Sequence, residues 1–152
     1  MGNCFSELLR RTRRQTVPTQ LGETVDRVAS SHWVDLNFHK YAGHWNDLPV
    51  DANELLALVA PRPVFLNGGT TDQWADPHGA FLAAVAAGPV YRLLGKNDLG
   101  STVMPAPDTA LVSGEIAFRY HTGGHSDLPD WPAFLQFAQR YLKLRNGPAG
   151  GH

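Results

Sequence analysis

The stretch RPVFLNGG, residues 62–69, decides the fold class of this chain. Its apolar run is continuous and is closed by two glycines, which is typical of a strand buried on both faces. A second strand is predicted at EIAFRYH, residues 115–121, and a helix at residues 77–94 lies between the two. A strand, a helix and a strand of this length indicate a parallel pair joined by a right-handed crossover. The predicted fold class is therefore α/β.

Helices are also predicted on both sides of this unit. Asp51 is a plausible N-cap for NELLALVA, a short helix that ends at Pro61. The last helix begins at Pro129 or Asp130 and runs to about Leu144. Because two strands are too few for a stable doubly wound sheet, the chain is expected to hold only part of an α/β domain.

Two segments between the strands are less regular. The dipeptide Gly88-Pro89 lies inside the middle helix and is expected to bend or split it, because proline lacks the amide hydrogen that a helix needs. Residues 95–114 carry glycines, prolines and polar side chains, which predicts a loop or a small excursion.

Composition limits the classes of function. The 152 residues suit one domain, and with 43% hydrophobic residues they can bury a real core. The net charge of −1 shows no overall excess of positive charge that would indicate binding to nucleic acid. Cys4 is the single cysteine, so no internal disulfide is possible. The sequence has neither an apolar run of about 18 residues nor a secretory signal.

The opening MGNCFS matches the myristoylation pattern Met-Gly-x-x-x-Ser. Cys4 could carry a second acyl chain, and the RRTRR cluster could contact anionic lipid, so one interpretation is a lipid-anchored peripheral protein. The plainer interpretation is a chance match to a pattern with few fixed positions. Membrane attachment is not the expectation.

The candidate chemistry lies after the two predicted strands, where open α/β sheets form their sites. Asp72 follows the first strand, and His125, in HTGGH, follows the second. Their order fits the order Ser…Asp…His of α/β-hydrolases. Asp72 would orient the imidazole, and His125 would take the proton of a serine. The plainer alternatives are a turn or capping residue for Asp72 and a surface or capping residue for His125.

A metal site is a weaker alternative at the same turn. His121 and His125 are four residues apart, but they lie across two glycines rather than on one helix face. No firm third ligand is near them in the sequence. We therefore expect neither a metal ion nor another cofactor.

Ordered motifs between residues 21 and 144 resemble the C-terminal half of glucuronoyl methylesterases, the fifteenth carbohydrate esterase family. They are GETV, HW, NFHKYAG, LPVD followed by EL, ALVAPRP, TDQWADP, PVYRLLG and GGH. The resemblance implies an α/β-hydrolase whose partner is a glucuronate ester of xylan, linking the 4-O-methyl-glucuronate to lignin alcohols. It also implies relatives that are mostly secreted or periplasmic, although this chain shows no signal peptide.

The resemblance also implies roles for individual residues. His125 looks like the catalytic base and Asp72 like its acid partner, with Asp51 as a second candidate for the acid. Trp74 resembles the tryptophan that packs on the sugar, and Glu23 the glutamate that binds sugar hydroxyls. The plainer alternatives are a loop-anchoring aromatic residue and a first-turn helix acid.

The sequence also departs from the family pattern. The stretch SSHWVDL stands where an aromatic-rich stretch is usual, and Asn53 stands where a histidine is common. The largest departure is the nucleophile, which the family carries in Gly-Cys-Ser-Arg-x-Gly. No serine of this chain lies in that motif or in Gly-x-Ser-x-Gly; the serines are Ser6, Ser30, Ser31, Ser101, Ser113 and Ser126.

We therefore expect a partial α/β-hydrolase fold, with the last two parallel strands and their helices but without the nucleophile elbow. Residues 1–20 are expected to be a divergent, basic and disordered segment, residues 21–144 the hydrolase part, and residues 145–152 a disordered tail. A truncated reading frame explains this best, and the chain alone is expected to be inactive. The alternatives are a non-catalytic sugar-binding remnant, or an esterase of another specificity completed in trans.

Overall fold

The computed structural model describes residues 49–72 and 75–142, together with Asn37, Lys40, Tyr41 and Asp47. The predicted segments 1–20 and 145–152 lie outside these residues. The described elements, in chain order, are helix α1 Ala52–Val59, strand β1 Val64–Gly69, helix α2 Pro77–Leu93, strand β2 Ala110–Leu111, strand β3 Ile116–His121, a 3₁₀ turn Leu128–Asp130 and helix α3 Trp131–Gln139.

The three described strands form one mixed sheet in the order β1-β3-β2. β1 and β3 pair in parallel, with Val64 opposite Ile116 at one end and Gly69 opposite His121 at the other. This confirms the predicted parallel pair and the α/β class. β2 pairs antiparallel with β3, so the prediction of two strands was one short. β2 has two residues, too few to show a periodic pattern in the sequence.

Helices cover both faces of the sheet. On one face, α2 buries Phe81 against Phe118 of β3, with ring centroids 5.3 Å apart in an edge-to-face arrangement. On the other face, Phe65 of β1 contacts Phe134 and Phe137 of α3. An aromatic pair of this kind adds about 0.5–1.5 kcal/mol beyond the burial of its surface. The strand pair is therefore held by aromatic contacts on both faces.

The first helix begins where the sequence predicted. The Asp51 side chain accepts a hydrogen bond from the Ala52 amide at 2.7 Å, and the Glu54 side chain accepts one from the Asp51 amide at 3.1 Å. This reciprocal arrangement is a capping box, which satisfies amide groups that the first turn leaves unpaired. α1 then packs against α2.

Of the two predicted effects of Gly88-Pro89, a bend or a split, the split does not occur, because α2 continues through Pro89 as one helix. Ala84, Ala87 and Tyr91 are buried on both sides of the proline. Gly88 lies close to Asp98, and a side chain there would lie 3.0 Å from the Asp98 carboxylate. Packing over the sheet thus keeps the two halves of α2 in one helix despite the missing hydrogen bond.

The last helix is shorter than predicted, since α3 ends at Gln139 rather than near Leu144. The Tyr141 amide donates to the Ala138 carbonyl at 2.9 Å, which tightens the final turn. The Arg140 guanidinium donates to the carbonyl of Ser113 at 2.8 Å and to that of Gly114. These contacts with the segment before β3 are tertiary, so no pattern in the local sequence predicts them.

β1 is also more exposed than predicted. Val64, Phe65 and Leu66 are half-buried and Asn67 is exposed, whereas the sequence predicted burial on both faces. The physical reason is position, because β1 is an edge strand of the described sheet. Within the described part of the chain, no helix is long and apolar enough to cross a membrane.

Candidate active site

The loops that follow β1 and β3 lie side by side. Parallel pairing sets Gly69 opposite His121, so both strands end at the same edge of the sheet. The chain after β1 therefore reaches Asp72 next to the chain that leads from β3 to His125. Sequence reasoning expected these two loops to meet, because carboxyl ends of parallel strands share one edge.

Backbone hydrogen bonds join the two loops into one unit. The Thr70 amide donates to the His121 carbonyl at 2.9 Å, and the Thr71 amide donates to the Gly123 carbonyl at 2.9 Å. In the other direction, the Gly123 amide donates to the Thr70 hydroxyl at 3.2 Å. Gly123 has a φ of +141°, a conformation that side chains rarely permit. The glycine lets the turn fold back onto the first loop.

The structure brings together Asp72 and His125 at the end of these loops. His125 Nδ1 lies 2.7 Å from Asp72 Oδ2. The carboxylate accepts the Nδ1 hydrogen, which leaves the lone pair of Nε2 free to accept a proton. The side chain of His125 is 89% exposed, whereas that of Asp72 is 10% exposed. The histidine is thus oriented by a sheltered acid and remains accessible to a reacting group.

The same contact sets the protonation of the histidine. The hydrogen bond that His125 donates to Asp72, and then the negative charge of Asp72, raise the pKa of His125 above the ordinary value of 6.5. Asp127 adds a smaller effect in the same direction through its charge, and partial desolvation opposes both. A higher pKa makes the imidazole a stronger base, while the neutral form that can accept a proton remains available above that pKa.

The structure does not test the other predicted site residues in the same way. Trp74 and Glu23 lie outside the described residues, so their roles remain predictions. Asp51, the second candidate for the acid, caps α1. Asp72 is the acid that contacts His125.

A buried polar cluster behind the turn was missed by sequence reasoning. His121 is 1% exposed, and its Nδ1 lies 2.7 Å from Asp130 Oδ2. Asp130 also accepts hydrogen bonds from Arg119 and, at 3.2 Å, from Asn67 Nδ2. A signal was present in the sequence: Arg119 and His121 lie two apart in an apolar strand, hence on one face, and acids follow in SDLPD.

The alternative of a metal ion at His121 and His125 has no support from this arrangement. His121 Nδ1 faces Asp130, and its Nε2 faces the Gly124 carbonyl at 3.1 Å. Among the described residues, no group of three or more His, Cys, Asp or Glu side chains could hold a metal ion.

A small cleft lies beside the buried cluster on the α3 face of the sheet. It measures about 200 Å³ and is lined by Phe65, Asn67, Asp127, Asp130, Trp131 and Phe134. The polar side of this cleft is the Asn67 amide, which donates to Asp127 at 2.8 Å and to Asp130. The cleft therefore joins the cluster to the aromatic contact between β1 and α3.

The sequence matches a known family model over more than half of its length. The model described as "Glucuronyl esterase, fungi" matches residues 7–95. The chain belongs to the glucuronyl esterase family. This confirms the resemblance that the ordered motifs indicated.

Individual relatives agree with this assignment. A carbohydrate esterase from an unknown prokaryotic organism is 42% identical over 126 residues, which cover 81% of this chain and 29% of that protein. The 4-O-methyl-glucuronoyl methylesterase 1 of Wolfiporia cocos is 36% identical over 76 residues, which cover 50% of this chain and 19% of that protein. The chain thus spans under a third of the length of these two esterases.

Solved structures show the same likeness in three dimensions. A promiscuous esterase of the fifteenth carbohydrate esterase family, from a marine bacterial metagenome, has a TM-score of 0.74 at 41% identity, covering 80% of this chain and 31% of its own. A glucuronoyl esterase of the same family from Teredinibacter turnerae has a TM-score of 0.71 at 44% identity. The match covers 76% of this chain and 29% of that protein. The mixed sheet with its helices is therefore an arrangement that glucuronyl esterases share.

Proposed function

We propose that this chain forms the C-terminal part of a serine carboxylic-ester hydrolase with an α/β-hydrolase fold, acting on glucuronate esters. In this proposal His125 is the general base, Asp72 is the acid that orients it, and residues 21–144 make up the hydrolase part. The observation that carries the proposal is the 2.7 Å contact between His125 Nδ1 and Asp72 Oδ2 at the carboxyl ends of two parallel strands.

The geometry of this pair suits proton transfer during ester hydrolysis. Nε2 of His125 takes the hydroxyl proton of a serine as the serine oxygen attacks the ester carbonyl. The imidazolium then gives this proton to the oxygen of the leaving alcohol, and the histidine activates a water molecule to hydrolyse the acyl-enzyme. Asp72 keeps the hydrogen on Nδ1 and stabilises the positive charge that forms on the ring.

The nucleophile is proposed to come from outside these 152 residues. No serine of the chain lies in Gly-x-Ser-x-Gly or in Gly-Cys-Ser-Arg-x-Gly. The donors that stabilise the oxyanion belong with the same elbow in this fold. We therefore propose that the chain alone does not hydrolyse esters.

The proposed substrate is a glucuronate ester of xylan. Several relatives are named 4-O-methyl-glucuronoyl methylesterases, and the motifs around Trp74 and Glu23 resemble those of the family. We propose that Trp74 packs against the sugar ring and that Glu23 accepts hydrogen bonds from its hydroxyls. Trp74 follows Asp72 by two residues, which is consistent with a sugar bound next to the catalytic pair.

A chimera tests this proposal directly. The C-terminal segment of the 42% identical prokaryotic esterase is replaced by the matching segment of this chain, and hydrolysis of a benzyl glucuronate ester is measured. We expect the chimera to hydrolyse the ester, and His125→Ala to lower kcat/KM by about 10⁴-fold. The control is His78→Ala, another exposed histidine, which should leave the rate unchanged.

Two results would contradict the proposal. A folded chimera that stays fully active with His125→Ala would show that this histidine is not the base. Hydrolysis by the isolated chain, lost in His125→Ala, would show that the nucleophile lies within these 152 residues.

A further inference from the structure

We propose that His121 is a positioning residue: its imidazole clamps the Gly124 carbonyl and thereby places His125 against Asp72. This inference rests on the proposed role of His125 as the base. It concerns the buried polar cluster behind the turn, which the proposed proton transfer does not use directly.

The first step in the inference is the hydrogen-bonding state of His121. Its Nε2 lies 3.1 Å from the Gly124 carbonyl oxygen, and its Nδ1 lies 2.7 Å from Asp130 Oδ2. A carbonyl oxygen can only accept, so Nε2 carries a hydrogen and donates it. A carboxylate also only accepts, so the same reasoning gives Nδ1 a hydrogen. The clamp on Gly124 requires only the hydrogen on Nε2.

The second step is the charge around this ring. Asp130 is 1% exposed and accepts from Arg119 and Asn67 as well as His121. Arg119 also pairs with Asp108, at 3.3 Å. The positive charge of Arg119 thus meets two carboxylates, which offsets the cost of burying it.

The third step is what the clamp holds. Gly124 comes directly before His125, and the turn that contains Gly123 and Gly124 lies against the imidazole of His121. A side chain at Gly123 would lie 3.4 Å from Cδ2 of that ring. Among the contacts of the described residues, Gly123 accepts from the Thr71 amide and donates to the Thr70 hydroxyl, whereas the carbonyl of Gly124 faces His121 Nε2.

The fourth step is why His125 depends on this clamp. Its side chain is 89% exposed, so packing does little to fix the imidazole. The backbone of the turn therefore decides where the ring lies relative to Asp72. Without the hydrogen bond to Gly124, the turn has more freedom, and the 2.7 Å contact between His125 and Asp72 is expected to loosen.

A matched pair of substitutions separates the clamp from general stability. The amide nitrogen of glutamine can occupy the position of histidine Nε2, so His121→Gln keeps a donor for Gly124. The amide nitrogen of asparagine can occupy the position of Nδ1, so His121→Asn keeps a donor for Asp130 and loses the one for Gly124. Both substitutions replace the imidazole with a neutral amide, so they differ mainly in which contact survives.

The measurement is the pKa of His125 in the full 152-residue chain, determined from a pH titration by proton–nitrogen NMR of the histidine side chains. Asp72→Asn defines the pKa of His125 without its acid partner. We expect His121→Asn to produce most of the drop seen in Asp72→Asn, and His121→Gln to keep the pKa of His125 near that of the unsubstituted chain. Equal drops in both His121 variants, or no drop in either, would overturn the proposal.

A second measurement needs no substitution and therefore does not depend on whether a variant folds. The nitrogen chemical shifts of His121 in the unsubstituted chain report which ring nitrogens carry hydrogens. We expect a protonated Nε2, and an unprotonated Nε2 would overturn the clamp. Neither measurement uses hydrolysis, so failure of the clamp is distinguishable from failure of the proposed esterase function, which appears as a folded but inactive chimera.

Discussion

Gly69, the last residue of β1, lies against the carbonyl oxygen of Gly124, and a methyl group on Gly69 would come within 2.2 Å of that oxygen. The same methyl group would lie 2.5 Å from the Gly123 carbonyl oxygen. The turn that carries His125 thus rests directly on the end of the neighbouring strand. The absence of a side chain at Gly69 is what permits this close approach.

We predict that Gly69→Ala displaces the turn and separates His125 from Asp72. The clash is with backbone, which cannot rotate away, so the substitution should lower the free energy of unfolding by about 1–3 kcal/mol. It should also lower the pKa of His125. Urea unfolding and NMR titration measure the two effects. Gly68→Ala is the matched control, because its methyl group would lie at an ordinary 3.5 Å from Pro77 Cβ. Equal tolerance of both substitutions would contradict this prediction.

The contact between Asp72 and His125 predicts a pH dependence. Because Asp72 raises the pKa of His125 in the folded chain, the contact stabilises the fold fully below the unfolded value of about 6.5. This stabilisation is lost as the pH rises through the folded-state pKa. The stability difference between the unsubstituted chain and Asp72→Asn should therefore be larger at about pH 5.5 than at about pH 9.

The control for this pH dependence is Asp127→Asn. Asp127 raises the pKa of His125 less than Asp72 does, through its charge and without a hydrogen bond to the ring. NMR titration should therefore show a smaller drop in the pKa of His125 for Asp127→Asn than for Asp72→Asn. A larger drop for Asp127→Asn would mean that Asp72 is not the main partner of the histidine.

The capping box of α1 predicts a stability effect away from the site. Asp51→Ala removes the side chain that accepts from the Ala52 amide, so the free energy of unfolding should fall by about 1 kcal/mol. Asp51→Asn keeps an acceptor at that position and should recover most of this loss. Thermal unfolding of both variants checks the prediction, and an Asp51→Ala variant as stable as the unsubstituted chain would be evidence against the cap.

Substitutions of two apolar residues of α2 test how this helix packs on the sheet. Phe81 is 1% exposed and packs against Phe118, whereas Leu93 is 84% exposed on the same helix. Phe81→Ala should lower the free energy of unfolding by about 3–5 kcal/mol because it leaves a cavity. Leu93→Ala should change it by less than about 0.5 kcal/mol. Chemical unfolding measures both, and similar losses would argue against this packing of α2.

Several parts of the fold could be predicted because their signals are local. The apolar run closed by glycines located β1, and the capping residue located the start of α1. The parallel pairing of β1 with β3 followed from the helix between them, and it set Asp72 and His125 at one edge of the sheet. These predictions succeeded because strand propensity, capping and chain order depend on residues close together in sequence.

Other features depend on contacts between residues far apart in sequence. β2 forms because two residues reach the edge of β3, and α3 ends early where Arg140 contacts Ser113 and Gly114. His121 shows that a shorter-range contact can also be missed, since its spacing from His125 raised only the weaker alternative of a metal site. In the folded chain it is paired with Asp130, nine residues further on.

The sequence by itself determined the class of the fold and the order of its main strands and helices, and it placed Asp72 and His125 at one edge of the sheet. It did so because turns, helix caps and apolar periodicity depend on residues that are close together in the sequence. The tertiary structure alone decided how the turn that carries His125 is held at the end of β1, through the close approach of Gly69 to the Gly124 carbonyl and the hydrogen bonds of Thr70 and Thr71. Those contacts join residues about 50 apart in the chain, and a linear pattern carries no information on which buried donor will meet which acceptor.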